Sequence, residues 1–284
     1  MRYGVCVPNF GEYFQPHILA ELAYEAEEAG WDGFFVWDHM LFVNDLHLDV
    51  VDPWVALTAI AMRTSQIRLG PLVTAVARRR PWKLARETAS LDHLSGGRLI
   101  LGVGLGHPPE DEFAQFGEDP DAKVRAKKLD EGLDVLVGLW SGEPFNYQGE
   151  YYQIHSTTFR PRPIQLPRIP VWVAGYLPHK APFRRAARWD GVCPGGWWDD
   201  TPMTPDDLRA LLGEIRGFRT SDGPFDVTYS GVTPGNDRSR ASAIVAPWAA
   251  AGITWWIEGF SPQRGTLVET RARVRQGPPS QGAV

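Results

Sequence analysis

The chain alternates short, unbroken apolar runs with longer stretches whose apolar residues recur at helical spacing, and it does so eight times. Tyr3 to Pro8 reads as a first strand. Pro16 to Ala29 follows with apolar residues at Leu19, Leu22, Ala23 and Ala26, and Gly30 stops that helix. Gly33 to Trp37 is a second strand, apolar at successive positions as a strand buried on both faces must be. The spacing then predicts a helix over Pro53 to Met62, a third strand over Ile67 to Val76 and a helix over Pro81 to Leu94. A fourth strand, Arg98 to Val103, precedes a glycine-rich turn and a long helix from Val124 to Leu139. There the rhythm breaks. Phe145 to Ile154 carries Gln148-Gly149 between two aromatic runs, which reads as a hairpin. The alternation resumes with strands over Ile169 to Ala174, Gly191 to Cys193, Phe225 to Ser230 and Ile253 to Ile257. Helices follow them over Lys180 to Arg188, Pro205 to Arg219, Arg238 to Ala251 and Gly265 to Arg275.

Eight such units predict an α/β fold, a closed parallel (β/α)8 barrel. Residues 1–276 form it as one domain, with an insertion before the fifth strand at about 142–168 and a flexible tail at 277–284. The rival is a doubly wound open sheet. It calls for a glycine-rich dinucleotide turn after the first strand, and Pro8-Asn9-Phe10-Gly11 does not supply one.

Composition removes several functions. A net charge of −5 without a long basic block argues against a nucleic-acid partner. Cys6 and Cys193 are the only cysteines, too few for a disulfide framework and suited to a reducing cytoplasm. The start of the chain has no room for a signal-peptide core, and the apolar stretch from Ile244 to Ile257 is too short to span a bilayer. A cytoplasmic protein with no membrane partner is expected. The 12 tryptophans read first as core, and second as walls of a pocket for flat rings.

In a barrel of this kind the active site lies at the C-terminal ends of the strands. That rule selects Asn9 and Phe10, Asp38 and His39, Leu72 to Thr74, Gly104 to His107, Ala174 to Tyr176, Gly195-Gly196 and Glu258. Asp38-His39 is the best catalytic pair, because histidine exchanges protons near neutral pH. The alternative is a capping Asp38 beside a packed, hydrogen-bonded His39. Gly102, Gly104, Gly106, Gly175, Gly195 and Gly196 either admit a flat ring and a phosphate or serve tight turns. Arg78-Arg79-Arg80 reads first as a solvated turn before Pro81, and second as a neutraliser of an anionic cofactor tail. Histidines and carboxylates lack metal-ligand spacing, so no metal is expected. Glu110, Asp111 and Glu258 are the carboxylates a metal-independent barrel hydrolase would use.

Several blocks carry a family resemblance. Trp37-Asp38-His39, Leu69-Gly70-Pro71-Leu72-Val73-Thr74, Arg80-Pro81, Ser90-Leu91-Asp92-His93-Leu94-Ser95-Gly96-Gly97-Arg98 and Leu101-Gly102-Val103-Gly104 resemble the luciferase-like monooxygenase family. Trp140-Ser141-Gly142, Gly149-Glu150-Tyr151-Tyr152, Pro161-Arg162-Pro163, Pro170 to Gly175 and Asp190-Gly191 follow in the family's order. The resemblance spans most of the chain. It implies a reduced FMN or coenzyme F420 across the barrel mouth, backed by a third-strand bulge near Pro71-Leu72-Val73, often with a non-prolyl cis peptide. It implies that His39, with Asp38, handles the proton. Pro71, Leu72, Thr74, Gly104, Gly106 and His107 would meet the ring or its ribityl chain, and Ala174, Gly175 and Tyr176 the phosphate. His107 departs from deazaflavin relatives that carry glutamate there, and Ala174-Gly175 from relatives with two glycines. The implied protein is a flavin-dependent oxidoreductase or monooxygenase acting on a small-molecule substrate. A flavin reductase is its partner if FMN is used, and a homodimer is its expected state. A non-catalytic flavin-binding barrel is the other alternative. The insertion, Trp197-Trp198 and the end of the eighth strand are expected to shape the substrate pocket.

Overall fold

A computed structural model describes residues 1–195 and 202–279. Gly196, Trp197, Trp198 and the tail beyond 279 lie outside the described residues. The first half contains β1 (Arg2–Val7), α1 (Pro16–Glu28), β2 (Gly33–Val36), α2 (Pro53–Arg63), β3 (Arg68–Pro71), β4 (Thr74–Ala75) and α3 (Pro81–Leu94). After these come β5 (Leu101–Gly104), the short α4 (Pro109–Glu112) and α5 (Ala122–Trp140). A hairpin of β6 (Pro144–Gln148) and β7 (Gln153–Thr158) leads to β8 (Val171–Gly175), α6 (Ala181–Ala186), β9 (Gly191–Pro194) and α7 (Pro205–Phe218). The chain closes with β10 (Asp226–Gly231), α8 (Arg238–Ala251), β11 (Trp255–Gly259) and α9 (Leu267–Arg275).

Local chemistry starts and stops these helices. Asp52 accepts hydrogen bonds from the amides of Trp54 and Val55 at the head of α2. Thr204 with Asp207, and Thr266 with Glu269, form reciprocal capping boxes on α7 and α9. Gly252 ends α8 with φ +112°, a conformation glycine takes without a steric penalty.

Nine strands run in the order β3-β2-β1-β11-β10-β9-β8-β5-β4, and their pairings are parallel. The third barrel strand is the one place where the expectation of a continuous run fails. It divides into β3, which pairs with β2, and β4, which pairs with β5. Between them lies the cis peptide Leu72–Val73, at the position where the bulge was expected. Closure comes from one bridge, Leu69 to Leu99, with the Leu69 amide donating to the Arg98 carbonyl at 3.2 Å and the Ile100 amide to Leu69 at 2.9 Å. Gly70 makes this approach possible: a Cβ there would lie 1.8 Å from the Ile100 carbonyl oxygen. Arg98 was expected to begin the fourth strand. Instead its buried guanidinium donates to carbonyls of Ala61, Thr64 and Ile67, and the ladder starts at Leu101.

The bore is packed. Cys6, Phe35, Ile100, Trp172, Trp255 and Ile257 fill it, and the half-buried Leu72 and Ala174 sit against that cluster. A larger apolar layer lies between sheet and helices. No described helix is long and apolar enough to cross a membrane.

Candidate active site

Asp38 and His39 follow directly on β2. Asp38 is wholly buried, and its carboxylate is full. Arg79 donates to both oxygens at 2.8 and 2.7 Å, Arg78 donates to one at 2.6 Å, and the Thr74 hydroxyl donates to the other. Burial alone would push this carboxyl up. Arg79, Arg78 and Thr74 outweigh burial and hold it down at about 2. The geometry favours the structural alternative for Asp38: a shielded carboxylate that accepts four hydrogen bonds from three side chains.

The same contacts bear on two other expectations. Arg78 and Arg79 are not a solvated turn; their side chains are 4% and 16% exposed and belong to the ion network, while Arg80 remains exposed. The Thr74 hydroxyl is engaged within the protein. It is buried, donates to Asp38 and accepts from Arg79 Nε at 3.0 Å.

His39 is placed as a reactive group would be. Asn9 fixes its backbone, donating to the His39 carbonyl at 2.8 Å and accepting from its amide at 3.2 Å. Phe10, Trp37 and Phe42 surround the ring edge-on, with centroids 5.8, 5.8 and 5.0 Å away. Nδ1 lies 3.2 Å from Oε1 of Glu112, and the side chain is 15% exposed. No partner for Nε2 is found among the described residues.

Glu112 is the residue that sequence reasoning missed. It sits at the end of the four-residue α4, buried, and accepts from the amides of Met40, Leu41 and Phe42 at 3.1, 3.2 and 2.7 Å and from Arg78. Its only sequence signal is position: it is the last acid of a run and stands directly before the buried Phe113. Burial pushes its carboxyl up, and His39, Arg78 and the Phe42 amide more than reverse this, so it stays below its ordinary value.

The remaining mouth residues divide. Leu72, Val73 and Ala174 are half-buried, the first and last resting on the packed bore. His107 is exposed at its surface, and its partial burial, with His39 and Arg125 nearby, pushes its pKa down. Tyr176 is 39% exposed. Pro71 is buried within β3. Gly104 admits the bulge, since a Cβ there would lie 2.7 Å from Val73 Cγ2, and Gly175 packs against Pro182. Gly106 turns the chain with φ +84°. These glycines serve close packing and turns. A cavity of about 400 Å³ opens beside His39, and Met40, Val51, Pro53, Arg79, Arg80 and Lys83 are among the residues that line it.

Two of the three carboxylates a hydrolase would use are otherwise engaged, and the third, Glu110, is exposed. Glu258 is buried and accepts from the Thr233 amide and hydroxyl at 2.9 and 2.7 Å, from Trp256 Nε1 at 3.2 Å and from Arg264. Asp111 accepts from the Asn44 amide at 3.1 Å. Among the described residues no group of three histidine, cysteine or acidic side chains is placed to hold a metal ion. What the mouth offers is an imidazole lining a cavity, with half-buried apolar residues at the ends of other strands.

The profile of the luciferase-like monooxygenase family matches residues 1–276, and the chain belongs to that family. An uncharacterized protein of Mycobacterium tuberculosis is 30% identical over 278 residues, covering 92% of both chains. The F420-dependent glucose-6-phosphate dehydrogenase of Kineococcus radiotolerans is 35% identical over 247 residues, covering 86% of this chain and 72% of that one. Among solved structures, an F420-dependent secondary alcohol dehydrogenase in complex with an F420–acetone adduct superposes with a TM-score of 0.78. It is 17% identical, with 98% of each chain covered, and shares the fold. The family is one of oxidoreductases, and an F420-dependent enzyme is among the relatives of this chain.

Proposed function

We propose that this protein is an oxidoreductase that binds coenzyme F420 or reduced FMN at the barrel mouth and oxidises or reduces a small organic substrate. The observation that carries this reading is His39, a clamped imidazole with one engaged nitrogen that lines a cavity, while the half-buried apolar Leu72, Val73 and Ala174 lie at the C-terminal ends of other strands of the same barrel. Those three residues would lie under the ring. Tyr176 and the backbone of Ala174 and Gly175 would lie toward the phosphate. The bound cofactor would supply hydride transfer in the F420 case and oxygen activation in the FMN case.

The chain's own contribution is to exclude water with the aromatic residues around His39, to seat the ring, and to give or take a proton at His39 Nε2. F420 is favoured by the named activity of the Kineococcus relative, and FMN by the monooxygenase description of the family. With FMN, a separate flavin reductase would be the partner. His39→Asn tests the assignment. Cofactor affinity stays as it is, while turnover falls by about 10²–10⁴, the usual share of a general acid–base group. Unchanged turnover would remove His39 from the chemistry.

A further inference from the structure

The inference concerns Glu112 and rests on the reading of His39 as the acid–base group. An ionised carboxylate only accepts hydrogen bonds, so an imidazole nitrogen beside it must carry the proton. Oε1 of Glu112 lies 3.2 Å from His39 Nδ1. It cannot turn away, because the Phe42 amide donates to it at 2.7 Å and the Leu41 amide at 3.2 Å. Arg78 and the Met40 amide hold Oε2, the latter at 3.1 Å. Phe42 adopts φ +67°, the left-handed region a large side chain rarely enters, where successive amides can converge on one anion. The segment after β2 is thus folded around this carboxylate.

We propose that Glu112 is a positioning residue for His39: its buried carboxylate fixes the ring proton on Nδ1 and leaves Nε2 as the proton-accepting atom.

The opposite tautomer would set the lone pair of Nδ1 against a carboxylate oxygen. Other charged groups around the ring do not compete for Nδ1. Asp38 is consumed by Arg78, Arg79 and Thr74; Arg78 is consumed by Asp38 and Glu112. Arg125 holds the carbonyls of Leu105 and Gly106 at 2.8 Å, and His107 stands on that same turn. Glu112 therefore joins two mouth segments, the one that carries His39 and the one that follows β5. A base whose proton sits on the wrong nitrogen presents a donor where an acceptor is needed, which costs turnover without altering how the cofactor is held.

The test reads the tautomer in the protein without cofactor. Long-range proton–nitrogen correlation spectra of ¹⁵N-histidine-labelled protein distinguish the two neutral forms, with His39→Gln assigning the signal. The expected wild-type result is a proton on Nδ1. In Glu112→Ala the proton moves to Nε2, and turnover with the bound cofactor falls by about a hundredfold while cofactor affinity holds. A wild-type ring protonated on Nε2 overturns the proposal, and needs no variant to fold. So does a Glu112→Ala protein that keeps the Nδ1 proton. Failure of the cofactor assignment alone would leave the spectrum as expected, so the two failures are distinguishable.

Discussion

Arg79 grips both oxygens of Asp38, at 2.8 and 2.7 Å, in a pocket from which the carboxylate is wholly shielded. With Arg78 at 2.6 Å from the same group, two cations and one anion are buried together and share Thr74 and Glu112. Removing one member of a buried ion group leaves the others uncompensated. Asp38→Asn is expected to cost about 3–5 kcal/mol in urea unfolding. The loss of fold around His39 would follow from that, not from a lost proton donor.

The pH dependence of this contribution has a definite sign. The folded carboxyl is held at about 2, below its ordinary 3.8. Its stabilisation is present above the ordinary value and is lost as pH falls through the folded one. The shift corresponds to about 2 kcal/mol. Wild type and Asp38→Asn should differ in stability by a constant amount above about pH 5. That gap should narrow by about 2 kcal/mol as pH falls from 4 to 2 and below. A gap that stays unchanged down to pH 2 would contradict the buried pairing.

Glu258 closes the second carboxylate question. It lies at the end of β11, but its oxygens are taken by Thr233, Trp256 and Arg264, and Arg273 stands 3.6 Å away. It is a strut between the last strand and the segments packed outside it. Glu258→Gln should lower stability by about 3 kcal/mol, read by urea unfolding, because two arginines lose their counter-charge. Cofactor affinity should not change. A variant of normal stability with altered chemistry would reopen a carboxylate mechanism.

Gly104 tests the bulge. A methyl group there would lie 2.7 Å from Val73 Cγ2, so the bulge must shift to admit it. Gly104→Ala is expected to cost about 1–3 kcal/mol, the usual penalty for overpacking, and to weaken cofactor binding. Thermal unfolding and a fluorescence titration measure the two effects together. Wild-type affinity in this variant would detach the floor from cofactor binding.

The architecture was legible because strand and helix periods differ and alternate without ambiguity over most of the chain. Arg238–Ala251 and Pro81–Leu94 coincide with their predicted bounds. Strand ends were less legible. Ile253 and Thr254 are as apolar or β-branched as the ladder that follows, yet β11 begins only at Trp255. The division of the third strand was not visible in its apolar run; only the resemblance pointed to a bulge at Leu72–Val73. His39 followed from a positional rule for barrel mouths. Its partner did not, because Glu112 is 73 positions away and looks like one more acid in a helix's first turn. Arg78 and Arg79 were misread for a related reason. A run of arginines is usually solvated, and nothing local shows that a buried Asp38 and Glu112 await it across the mouth.

The central claim is that the mouth receives a flavin-type ring, and one titration tests it directly. Purified protein is titrated with coenzyme F420, FMN and reduced FMN, followed by fluorescence and calorimetry, beside Ala174→Trp, in which an indole would occupy the floor. The account predicts saturable one-to-one binding of F420 or reduced FMN to the wild type and its loss in Ala174→Trp. F420 alone would direct the substrate search to hydride acceptors and donors, and reduced FMN to oxygen-dependent substrates. Binding of none of the three, or equal binding to both proteins, would contradict the account.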